Sequence, residues 1–257
     1  MSDPKMKNVT FEFNTATAGD GGALYNKFSN PTLKFVTIHA NQSVTRYGGG
    51  IYTFGTVTVS NSTFAGNDAG EGGGIYNFQS TVTVSNSTFA GNSANSGGGI
   101  YNYYGGRLTL KNTIVSSSPN GSNCAGTITD GGGNLSYPDT TCPGINGDAL
   151  LGPLQNNGAP THTMALGSRS PAINAHASAI CTAAPHHNLD KRGAARPQGP
   201  GTQPQGAATH SAASRFVPVR HVALYATSLP RVALQPAVSS LKNPGCWSFA
   251  CQYRSTP

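Results

Sequence analysis

"GGGIYNFQSTVTVSNSTFAGN" occupies Gly72–Asn92, and twenty-five residues on the chain restates it as "GGGIYNYYGGRLTLKNTIVSSS", Gly97–Ser118. The octet S-N-S-T-F-A-G-N stands at Ser60–Asn67 and Ser85–Asn92, a step of 25, and weakens to KNTIVSSS at Lys111–Ser118, a step of 26. Upstream, KFVTIHAN (Lys34–Asn41) and NVTFEFN (Asn8–Asn14) keep the frame with steps of 26 and 27. The glycine element keeps the same beat: GGALYN ends at Asn26, GGGIYT at Thr53, and GGGIYN at Asn77 and Asn102. A fixed period of this length announces a repeat architecture before anything else can be read.

Inside each copy the pattern alternates: Val57-Thr58-Val59, Val82-Thr83-Val84, Leu108-Thr109-Leu110. Period two marks a strand with one buried and one wet face. One such strand cannot bury its apolar face alone. Stacking the copies as coils about 4.8 Å apart does it. The reading is therefore all-β: a parallel β-helix (solenoid) of about four to six coils with an irregular C-terminal extension. Residues one period apart should lie on top of one another. Val57, Val82 and Leu108 form one inward column, and Val59, Val84 and Leu110 a second. Phe64, Phe89 and Val115 form a third, extended by Phe11 and Ile38. Ile51, Ile75 and Ile100, joined by Leu24, form a fourth.

Polar and aromatic residues recur too. Asn8, Asn61, Asn86 and Asn112 align, with Phe35 interrupting, as a structural amide ladder at a turn. Tyr25, Tyr52, Tyr76 and Tyr101 form an aromatic column. If outward it is a ligand-binding surface able to stack on sugar rings; if inward it is core. Thr58 and Thr83, with Thr109 below and Thr56 and Thr81 beside, form an outward threonine column, the second ligand-binding candidate. Flat threonine faces can order water, but Arg107 takes the next place in the Thr56–Thr81 column.

These residues resemble the right-handed parallel β-helix repeats of bacterial surface and secreted proteins, and are similar to the polymorphic outer-membrane protein repeat over residues 8–115. Residues 120–200 resemble the choice-of-anchor Q region through Leu151-Gly152-Pro153-Leu154, Asn157-Gly158, Ser170-Pro171-Ala172-Ile173, and Asp190 with Arg192-Gly193. The resemblance implies a location outside the cell, at the cell surface or in the outer membrane. It also implies a local disulfide between Cys124 and Cys142, as an oxidising compartment allows. It leaves the partners of Cys181, Cys246 and Cys251 open. No apolar leader stands in MSDPKMKNVTFEFN, a departure from an exported family.

Catalytic and cofactor motifs are sparse. The glycine clusters lack GxGxxG and GxxxxGK[ST], which removes the phosphate-loop reading, and no cofactor is called for. The only acids in the repeats are Glu12, Asp20, Asp68 and Glu71. Asp20 and Glu71 sit in equivalent glycine turns two coils apart, about 10 Å by stacking. No metal site is assigned; Asp68 and Glu71 with turn carbonyls are the candidates for Ca²⁺, against a reading as solvated turn residues. His186-His187 near Cys181 and Asp190 matches no zinc spacing.

The net charge of +7 is unevenly laid out. Through residue 190, eight Lys/Arg face nine acids; beyond it lie eight Lys/Arg and no acid. The domain reading is residues 1–118 as repeats, 119–202 as a continuing, anchor-like cap, and 203–257 as a basic, poorly ordered tail. No apolar run reaches the ~18 residues of a spanning helix, and the folded part offers no basic patch for nucleic acid. The functional expectation is a non-enzymatic, monomeric rigid spacer or adhesive surface for glycans or surface proteins. The alternative is a polysaccharide lyase or glycoside hydrolase on the same fold.

Overall fold

The computed structural model describes residues 3–173 and 190–192, with the backbone alone of 209–210. Most of the basic tail, His186-His187, Cys181, Cys246 and Cys251 lie outside the described residues. Those described are all-β: short strands wound as a parallel solenoid, with coils beginning at Lys5, Thr32, Val57, Thr81 and Arg107 and an incomplete one at Thr129.

The first three coils visit four faces in turn, and the fourth meets the third face only through isolated bridges at Ser93 and Ser96. The threonine face stacks Lys5–Lys7, Thr32–Lys34, Val57–Ser60, Thr81–Ser85, Arg107–Lys111 and Thr129–Asp130. The second face stacks Thr10–Glu12, Thr37–His39, Thr63–Ala65, Thr88–Ala90, Ile114–Ser116, Leu135–Tyr137 and Ile145–Asn146. A short third face holds Thr15–Ala16, Gln42–Tyr47 and Asp68–Glu71. The fourth, here called the aromatic face, stacks Leu24–Lys27, Ile51–Phe54, Ile75–Phe78, Ile100–Tyr103 and Cys124–Ala125.

The register follows the sequence period. Val57, Val82 and Leu108 pair in line, as do Val59, Val84 and Leu110. Phe11, Ile38, Phe64, Phe89 and Val115 make one column, and Leu24, Ile51, Ile75 and Ile100 another. All of these but the half-buried Leu24 are buried, and Phe64 and Phe89 stack at 4.4 Å between ring centres. An in-register stack fills the interior with like side chains, so each coil buries what its neighbour leaves open.

Polar groups inside the coil are satisfied by ladders. The continuous one is Asn14–Asn41–Asn67–Asn92, the asparagine that ends each repeat octet. The side-chain amides donate along the column at 2.8, 2.9 and 2.8 Å. Backbone N–H groups of Asn14, Asn41 and Asn67 donate to the same carbonyl oxygens. Asn77 donates to Asn102 at 2.7 Å, and Asn26 to Thr53 at 3.0 Å, in a second set. The predicted ladder of Asn8, Asn61, Asn86 and Asn112 is a different device. Those residues hold left-handed backbone, with φ of 58°, 49°, 48° and 49°, and Phe35 in the same column has 57°. Asparagine enters that region more readily than most residues. Among these amides the bond found is Asn112 to Asn86; Asn61 Oδ1, Asn86 Nδ2 and Asn112 Oδ1 are buried without a partner.

The second face does not meet solvent over its middle coils, because the chain roofs it. Leu151–Gln155 and Thr163–Leu166 pair antiparallel, and Ile114, Leu135, Ala149, Leu166 and Ala172 form a second small core beneath them. Thr37 Oγ1 donates to the His162 carbonyl and Thr161 Oγ1 to that of Phe35. Lys191, 1% exposed, ends among four oxygens: Val36 O at 2.9 Å, Thr37 Oγ1 and His162 O at 3.0 Å, and Thr63 Oγ1 at 3.3 Å. Burial drives its pKa well below the ordinary lysine range. Asp190 beside it is gripped by the backbone and guanidinium of Arg192. Cys124 and Cys142 form a disulfide with Cα atoms 5.0 Å apart, closing the last complete coil.

Candidate functional site

With one face roofed, solvent reaches the threonine, short and aromatic faces. Thr58 and Thr83 point outward and are exposed, in register with Thr32, Thr109 and Thr129. This single-file threonine ridge is longer than the repeat suggested. The neighbouring position runs Thr81 to Arg107, so a two-column threonine plane is confined to two coils.

The aromatic face is richer. Tyr25, Tyr52, Tyr76 and Tyr101 are in register, as the period required. They alternate with the buried Leu/Ile column and therefore point outward. Tyr25 and Tyr52 stack at 5.1 Å with planes 4° apart, and Tyr52 and Tyr76 at 5.6 Å and 9°. Parallel rings at these separations are offset-stacked, so each turns part of a ring face to its neighbour instead of to a sugar. The run breaks at Tyr101, turned 86° to Tyr76.

Two further sets of rings escaped the sequence reading. Phe54, Phe78 and Tyr103 form a second outward column two residues along each strand, with ring centres 5.6 and 6.1 Å apart. Phe28 packs edge-on to Phe54, and Tyr104 stacks on Phe78. Tyr47 reaches over from the short face to stack on Tyr76 at 4.6 Å, leaving Tyr76 only 2% exposed. The open rings are those at the margin: Phe28 is 54% exposed, Tyr103 41% and Tyr104 65%. The signal for the second column was present as the aromatic that follows Ile-Tyr-Thr or Ile-Tyr-Asn in three coils.

Acids sit along one rim. Tyr47 and Glu71 pair in register, Glu71 bridges to Ser96, and Gly21 N donates to Tyr47 O, which places Asp20, Tyr47 and Glu71 on successive coils. Asp20 and Glu71 are thus two coils apart with Tyr47 between. Asp68 has a partner of its own. Its Oδ2 accepts from Gln42 Nε2, and it lines a shallow 460 Å³ cleft with Ser93, Asn95 and Asn120. Glu71 is not among the residues lining that cleft, and among the described residues no three His, Cys, Asp or Glu side chains converge as metal ligands.

A comparison with protein families decides the class. The profile of the family described as "Right handed beta helix region" matches residues 4–137. The chain belongs to that family. Neither the curated proteins nor the solved structures yield a match. Among the described residues of this β-helix no helix is long and apolar enough to cross a membrane.

The electrostatics of the β-helix's aromatic face lead to a pH prediction. Burial first, then the Asp20 carboxylate and the neighbouring phenols of Tyr25 and Tyr47, push Tyr52 up to about 12. Burial and then Glu71 raise Tyr76 and Tyr101 as well. A phenol held above its unfolded value of 10.0 favours the fold fully below that pH. That contribution is lost as pH climbs from about 10 through the folded value. The thermal midpoint is therefore expected to fall above about pH 10. Tyr52→Phe should remove one late-titrating phase from the phenolate absorbance and soften the fall. Phenols that all titrate together near pH 10 would contradict this.

Proposed function

We propose that this β-helix is a non-catalytic binding scaffold, a rigid monomeric spacer that docks glycans or surface proteins through its aromatic face, outside the cell or on its surface. The observation that carries the reading is the pair of outward aromatic columns, in register over successive coils and open at Phe28, Tyr103 and Tyr104. A contiguous aromatic surface is costly to leave in water and is enriched where proteins bind partners. Because the inner tyrosines cover one another, contact falls on the Phe54–Phe78–Tyr103 column and its margin. The Cys124–Cys142 disulfide favours an oxidising compartment.

Two assays on the same preparation test the reading. Pull-down on insoluble and immobilised polysaccharides and on intact cell surfaces should show saturable retention. Assays for reducing sugar and unsaturated uronate across the same polysaccharides should show no turnover. Turnover that Asp68→Asn or Glu71→Gln abolishes would replace the scaffold with the lyase or hydrolase alternative.

A further inference from the structure

Two carboxylates on the rim of the aromatic face, Asp20 and Glu71, lack a full set of partners. Asp68 accepts from Gln42, and Asp20, raised above the ordinary carboxylate range by burial, keeps Oδ1 buried without a hydrogen-bond partner and feels the field of Arg46. Glu71 is half-buried, and among the described residues its carboxylate makes no hydrogen bond or ion pair. It sits in register between Tyr47 and Ser96, and its field reaches the hydroxyls of Tyr76 and Tyr101 across the glycine corner. Here Tyr101 and Tyr103 also abandon parallel stacking. Tyr101 lies at 86° to Tyr76 and Tyr103 at 58° to Tyr101 and 40° to Tyr76, while Tyr47 stays stacked on Tyr76 at 19°. Rings at such mutual angles wall a corner rather than a flat stack.

We propose that Glu71 and the rings of Tyr47, Tyr101 and Tyr103, set around the covered Tyr76, form a binding site for an organic cation, an alkylated ammonium or guanidinium group. A carboxylate supplies the charge, ring faces attract a cation through their quadrupole, and phenol oxygens can accept from N–H donors. Ca²⁺ would require six or more oxygens, and a single carboxylate does not provide them. A weakly hydrated organic cation loses little by leaving water and gains most from aromatic walls. The inference rests on the aromatic face being a binding surface but adds a charge requirement that the scaffold reading lacks.

The full chain is titrated with tetramethylammonium, with its neutral near-isostere tert-butanol, and with short peptides whose central residue is Arg or Lys. Tyrosine fluorescence and chemical shifts report binding. Saturable binding of tetramethylammonium is expected, at least tenfold tighter than tert-butanol. Glu71→Gln should weaken it about tenfold while leaving the thermal midpoint in place, since Glu71 has no structural partner. Tyr103→Ala should weaken it independently, and preference between the peptides and tetramethylammonium separates a side-chain ligand from a free amine. Equal binding of the neutral isostere, unchanged binding by Glu71→Gln, or no saturation by any cation would overturn the inference. Retention on polysaccharides or cells discriminates the two readings. If Phe78→Ala abolishes retention while Glu71→Gln affects nothing, only the cation site falls. If cations bind but nothing is retained, only the scaffold falls.

Discussion

Asn67→Ala is expected to lower stability by about 5–7 kcal/mol, a large share of the ~5–15 kcal/mol that holds a domain together. Asn67 is fully buried, and its side chain makes four hydrogen bonds: from Asn41 N and Nδ2, and to Ile38 O and Asn92 Oδ1. Alanine removes all four. The net loss is about 1 kcal/mol per bond, and leaving the Asn41 N–H unpaired in the interior costs about 1–3 kcal/mol more. Asn86→Gly supplies the contrast. Asn86 is equally buried, but its main role is to hold φ at 48°, which glycine adopts freely. Losing its one bond from Asn112 should cost about 1–2 kcal/mol. Urea denaturation followed by far-ultraviolet circular dichroism measures both. Similar losses for the two variants would mean that the ladder has been assigned to the wrong asparagines.

The second large effect comes from the smallest change. Gly74→Ala should destabilise by about 3–4 kcal/mol. A Cβ there would fall inside contact distance of the Gly99 carbonyl oxygen in the next coil and 2.9 Å from Phe89 Cδ1. Neither neighbour can yield cheaply, because Gly99 is backbone and Phe89 is stacked on Phe64 in the core. Parting the coils would break the bonds from Gly74 N to Gly98 O and Gly99 O. Gly91→Ala is the matched control. Its φ of 64° disfavours a side chain, but nothing lies within 4 Å, so about 1–2 kcal/mol is expected from the backbone alone. Equal costs at the two positions would show that the coils yield more readily than this packing implies.

The solenoid was readable because its interior is periodic. A step of 25–27 residues returns each buried side chain to the same place, so aligning the repeats yields the columns directly. The amide ladder was harder. Asn14, Asn41, Asn67 and Asn92 recur with the same period as Asn61 and Asn86, and both sets are asparagine. What separates them is backbone conformation, left-handed at Asn61 and Asn86, which residue type alone does not disclose. The aromatic face was half visible. The Ile-Tyr pair announced its first column, whereas Phe54, Phe78 and Tyr103 were obscured because Lys27 breaks their pattern in the first coil. Tyr47 belongs to another face and reaches Tyr76 only through the fold. The roof could not have been read at all. Lys191 meets Val36 across 155 residues, and Thr161 meets Phe35 across 126, with no repeat to align them.

The central functional claim is that the aromatic face does the binding. It is tested most directly by comparing two variants for retention on polysaccharides and cell surfaces. One carries Phe78→Ser, Tyr103→Ser and Tyr104→Ser; the other carries Thr58→Val and Thr83→Val on the threonine ridge. All five positions are on the outer surface of the coils, so both variants should keep the parent far-ultraviolet spectrum. Retention at least tenfold weaker is expected for the aromatic variant, and parent-like retention for the threonine variant. Retention unchanged by the aromatic substitutions, or lost only with the threonines, would contradict it.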